Sequence, residues 1–133
     1  MNGLFHAHSG LRYLILLMAV VAFVAFALGL AQKAKFGRVH RIIGVSYAGL
    51  LHTQATLGII MVLMGRFYPA LIGHIVMMLL AAVDMQVLMS LNRRREEPGF
   101  IMPLAGVVSS FVFIFGGVMA IGRGLLTTTA FTP

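Results

Sequence analysis

The chain has 133 residues, of which 60% are hydrophobic and 10% charged, and it carries a formal net charge of +7. A soluble domain draws roughly 25% of its residues from Asp, Glu, Lys and Arg, so this composition excludes a soluble surface and leaves an integral membrane protein. The lack of cysteine excludes disulfides, thiolate-held iron–sulfur clusters and covalently attached haem.

Four stretches are apolar for the roughly 20 residues that a helix needs to cross a bilayer. The first runs from about Gly10 to Gln32. It is too long for the apolar core of a signal peptide, so the sequence predicts a retained helix. The second runs from about Arg41 to Gly65. The third runs from about Pro69 to Leu91, with Pro69 suited to a first helical turn. The fourth runs from about Ile101 to Gly122. The tail "LLTTTAFTP" is too short and mixed for another span. Short connections, "KAKFGRVHR", "GRFYP" and "NRRREEPG", force antiparallel neighbours. The expected fold is therefore an all-α membrane protein, a single up-down-up-down four-helix transmembrane bundle.

The basic residues cluster in these connections. Lys33, Lys35, Arg38, Arg41, Arg93, Arg94 and Arg95 belong to one side, and Arg12, Arg66 and Arg123 to the other. By the positive-inside rule both termini lie outside, in the periplasm if the membrane is a bacterial inner membrane. This placement turns the positive charge toward anionic lipid rather than nucleic acid.

Polar side chains inside the spans are costly and mark functional candidates. These are His8 and Arg12 at the outer end of helix one, His52 and Gln54 in helix two, His74 and Asp84 in helix three, and Ser109 and Ser110 in helix four. At about 1.5 Å per residue, His8 and His74 reach similar depth, while His52 lies roughly 10 Å deeper. Gly44, Ala48, His52 and Ala55 form one expected stripe of helix two, and Gln54 faces away from His52. His74, Met77, Met78, Ala81 and Asp84 form a stripe of helix three. The pairs Gly106 with Ser110 and Gly116 with Ala120 permit close helix packing. Asp84 is expected to pair with Lys33 or Arg41, or to relay protons. His6 and His40 read as solvated or interfacial, and the ten Met residues as packing.

Imidazoles projected from facing helices into an apolar slot suit a low-spin haem b, which needs two axial ligands and cations for its propionates. The ligand candidates are His8, His52 and His74. Depth favours His8 with His74, and His52 with His74 requires a tilted haem. Arg12 and Arg66 are the propionate candidates. Ser109, Ser110 or Gln54 can orient a ligating imidazole, Gln54 only one from another helix.

The motifs "HSGLRY" (His8 to Tyr13), "HTQATLG" (His52 to Gly58) and "GHIVMM" (Gly73 to Met78) resemble those of small four-helix bacterial membrane proteins described as cytochrome-b-like. The resemblance spans nearly the whole chain. It departs where the family carries an acidic residue before the third histidine and a proline after it; here these are Gly73 and Ile75. It implies haem binding and a bacterial inner-membrane location.

Several functions fit these features. One is an electron carrier, not a stand-alone enzyme, that passes electrons between a quinone and a redox partner, alone or as a subunit of a respiratory or photosynthetic complex. Others are a structural or assembly subunit packed against other membrane subunits or a second copy, and a small proton-coupled transporter using Asp84. A three-imidazole site for Zn or Cu is a further variant.

Overall fold

The structure is a computed structural model and describes residues 2–65, 67–69 and 71–121. Four helices follow in order: α1 (Asn2–Ala31), α2 (Arg38–Leu63), α3 (Leu71–Arg93) and α4 (Ile101–Ala120). All four are long and apolar enough to cross a membrane. Large apolar side chains stand outward on every helix, among them Leu17, Val45, Ile72, Val83 and Val112. A helix surface of this kind, with its backbone bonds satisfied internally, is the surface of an integral membrane protein.

The expected bundle forms, with differences at the helix ends. α1 begins at Asn2 rather than near Gly10. His6 and His8 therefore ride on a helix. Backbone pairing carries the helix outward past the apolar run, and the buried Phe5 anchors the extension. Pro69 precedes α3 instead of starting it, and its carbonyl accepts from the N–H of Ile72 at 3.2 Å. α2 ends where the sequence places it. Gly65 adopts φ +97° there and returns its N–H to the carbonyl of Val62 at 3.1 Å, a helix stop that favours glycine.

Consecutive helices pack as antiparallel neighbours, and α1 closes the ring against α4, so α1 and α3 face each other across a diagonal. The packed interior is made of small and flexible residues. Ala19, Ala22, Ala48, Ala81 and Ala82 are buried, with Phe26, Tyr47 and Met85 completely enclosed. Tyr47 and Ser110 join α2 to α4 by a hydrogen bond of 2.8 Å in the fully buried centre. Ser110 Oγ also lies 3.0 Å from the carbonyl of Val107. A carbonyl only accepts, so the serine proton goes there and the Tyr47 hydroxyl donates to Ser110.

The two ends of the bundle differ. At the end carrying the basic connections, Phe26, Phe36 and Phe100 form a mutual cluster with centroids 5.3–6.3 Å apart. His40 meets the face of Phe100 edge-on at 4.7 Å, and its Nδ1 accepts from the N–H of Gly37 at 3.1 Å. Aromatic packing closes this end. The other end opens into a cavity.

Candidate functional site

The cavity lies between the first turns of α1 and α3 and the last turns of α2 and α4. It has a volume of about 730 Å³, within the range of small-molecule and cofactor sites. Its walls are mainly apolar, including Phe5, Ile15, Leu51, Met78, Ile114 and Val118. Its polar members are His8, Ser9, Arg12, Gln54, Tyr68 and His74.

His8 is held by one face of α2. The side-chain amide of Gln54 donates through Nε2 to the backbone carbonyl of His8 at 2.6 Å. One helical turn further on, Gly58 lies beneath the imidazole. A Cβ there would stand 3.2 Å from Nε2 of His8, so a side chain at this position would push the ring by a few tenths of an ångström. The His8 carbonyl fixes the orientation of the Gln54 amide. Gln54 Oε1 is thereby turned inward, buried and without a hydrogen-bond partner among the described residues.

His74 is held by α4. Its Nδ1 lies 2.9 Å from the carbonyl of Gly117. The carbonyl cannot donate, so Nδ1 carries the proton and Nε2 the lone pair. A ring N–H given to a backbone carbonyl is the usual way a ligating imidazole is oriented and made more basic. Gly117 permits the approach. A Cβ at this position would stand 3.0 Å from Met77 Cβ.

The two imidazoles meet across the α1–α3 diagonal with centroids 6.5 Å apart and planes inclined at 63°. Arg12, one turn from His8, also lines the cavity. Its guanidinium donates to the Tyr13 hydroxyl at 2.7 Å and lies 4.7 Å from the centre of the Tyr13 ring.

The other candidates lie elsewhere. His52 stands exposed on the outside of α2 and does not line the cavity. Its Nε2 donates to Oε1 of Gln86 on α3 at 3.2 Å, and Gln86 in turn donates to Ser90 at 3.3 Å. His52 is therefore separated from His8 and His74. Among the described residues no three His, Asp or Glu side chains gather into a metal-holding group, so the three-imidazole variant is not formed. Ser110 is engaged with Tyr47, and Ser109 with Asp84 and the carbonyl of Ala105. In the structure the groups that orient the imidazoles are the Gly117 carbonyl and α2, not these serines. Asp84 has Ser109 as its partner, not Lys33 or Arg41. His6 is exposed. Arg66 and Arg123 lie outside the described residues.

Sequence reasoning passed over Gly117 and Gln86, and it named Gly58 only as the end of "HTQATLG", without a role. Gly58 had a signal, since it follows Gln54 by four residues and shares its face. Gly117 had none, because a backbone carbonyl that serves as an acceptor leaves no mark on the sequence. No protein-family model, curated protein or solved structure matches this chain.

Proposed function

We propose that the chain is a haem b-binding electron carrier of a bacterial inner membrane, with both termini on the outer side. The reading rests above all on the His8–His74 pair. Two imidazoles projected from facing helices would hold a haem iron between them. The observed separation is 6.5 Å. The Nδ1–H of His74 bound to the Gly117 carbonyl leaves Nε2 as the ligating atom. The apolar walls of the cavity suit a porphyrin face. Arg12 at its wall, and Arg66 by its place between α2 and α3, supply positive charge for propionates. The resemblance of "HSGLRY" and "GHIVMM" to the cytochrome-b-like family points the same way.

In this reading the bound haem supplies reversible one-electron chemistry. The protein supplies the rest. His8 and His74 provide the ligand field, and Gln54 and Gly117 fix where the two rings stand. The apolar walls keep water out, and burial of this kind tunes a haem potential. A lipid-soluble quinone and a second membrane subunit, or another copy of the chain, are the proposed exchange partners.

The test is a reduced-minus-oxidised absorption spectrum of protein produced with haem supplied. A b-type spectrum is expected for the wild type and for His52→Ala, and its loss for His8→Ala and for His74→Ala. A colourless wild type that co-purifies with stoichiometric membrane partners would move the assignment to a structural subunit. Loss of the spectrum in His52→Ala alone would overturn the choice of ligands.

A further inference from the structure

A second, smaller cleft lies on the α2–α3 seam at the end of the bundle opposite His8 and His74. Its volume is about 150 Å³. Arg41, in the first turn of α2, and Arg93, the last residue of α3, both line it. Antiparallel packing brings the two guanidinium-bearing chains to one end. Gln86 and Ser90 form a polar wall, while Val45 and Met89 are apolar.

We propose that this cleft seats the phosphodiester of an anionic phospholipid, with Arg41 and Arg93 as its cationic partners. Charge is the first ground. The chain has three carboxylates. Asp84 is engaged with Ser109, and Glu96 and Glu97 stand exposed in the α3–α4 connection. Even if both glutamates are set against Arg94 and Arg95, Arg41 and Arg93 keep their charge. Depth is the second. The cleft lies at the ends of two spans, where head groups meet the hydrocarbon.

The third ground separates a lipid from a free anion. Val45 lines the cleft and is 56% exposed, and Ile42 beside it is 53% exposed. The two side chains form a short exposed apolar patch on α2 beside the cleft. Acyl chains are contiguous with it, whereas inorganic phosphate gains nothing from it. Basic pockets between transmembrane helices bind lipid head groups in this manner. Arginine suits the task because its planar fork pairs bidentately with phosphate oxygens.

The experiment measures lipid retained by the purified full chain in native mass spectrometry, after reconstitution in mixed phosphatidylglycerol and phosphatidylcholine. The wild type is expected to retain phosphatidylglycerol in preference. At about five-fold per arginine, the double variant Arg41→Gln/Arg93→Gln loses this preference by about 25-fold. Arg41→Lys/Arg93→Lys keeps the charge and most of the binding. Arg94→Gln/Arg95→Gln, outside the cleft, leaves the preference unchanged. The glutamine pair leaves Lys33, Lys35, Arg38, Arg94 and Arg95 to hold the topology, and its helical circular dichroism should match the wild type. Three results would each overturn the proposal: no preference for the anionic lipid, an equal loss in the Arg94/Arg95 variant, or displacement of the lipid by millimolar inorganic phosphate.

Discussion

Replacing Gly117 with alanine tests how closely α3 and α4 approach beside His74. The new Cβ would stand 3.0 Å from Met77 Cβ, 3.0 Å from Met78 Cε and 3.4 Å from the His74 carbonyl oxygen. Carbon atoms pack best at about 3.5–4.0 Å. Met78 Cε is the end of a flexible side chain and can move away. Met77 Cβ is fixed to the backbone of α3, so the helices must part by roughly half an ångström or more. Overpacking of this kind costs about 1–3 kcal/mol. Gly116 is the internal control. A Cβ there has Met77 Cε as its nearest neighbour at 3.9 Å, an ordinary contact. Both substitutions gain the same helix propensity, up to about 1 kcal/mol, so that contribution cancels in the comparison. Unfolding of the two variants by dodecyl sulfate titration in mixed micelles should place Gly117→Ala below Gly116→Ala by about 1–3 kcal/mol. Two alanine variants within about 0.5 kcal/mol of each other would refute the packing assigned to the α3–α4 seam.

Three further outcomes follow from the polar contacts. Gln54→Leu removes the donor to the His8 carbonyl and should cost about 0.6–1.7 kcal/mol, with faster amide exchange in the first turns of α1 as the readout. Ser110→Ala strands the buried Tyr47 hydroxyl and should cost about 1–3 kcal/mol; Tyr47→Phe leaves Ser110 bonded to Val107 and should cost about 0.5–1.5 kcal/mol, so the reverse order in micelle unfolding would contradict the donor assignment. His40→Ala loses both the acceptor for Gly37 and the edge-on contact with Phe100, and should lower unfolding stability by about 1–2 kcal/mol without changing ligand binding in the distant cavity.

The bundle was legible because apolar length is a strong signal in lipid. Four long runs and basic connections permit few other arrangements. The start of α1 was not legible, because "NGLFHAHSG" is too polar to read as a span, yet its backbone continues the helix. Depth counting brought His8 and His74 to one level, and that needed only the rise per residue. The face of His52 was misjudged for a geometric reason. Four residues advance a helix about 40° past a full turn, so the stripe from Gly44 through Ala48 has drifted about 80° by His52. Seven residues nearly close two turns, and Leu51 is accordingly the buried one. Adjacent glycines posed a similar difficulty. The spacing of Gly116 and Ala120 predicts a packing pair, and Ala120 does approach Gly73 of α3, but of the two adjacent glycines it is Gly117 that makes the tight contact with Met77.

Each of the two histidines has a tie within its own hairpin. His8 with Gln54 and Gly58 belongs entirely to the α1–α2 hairpin. His74 with the Gly117 carbonyl belongs entirely to the α3–α4 hairpin. The His8–His74 pair thus comes together only where the two hairpins pack against each other. A ligand bridging His8 and His74 would act as a clasp between them, coupling its affinity directly to the stability of the assembled bundle.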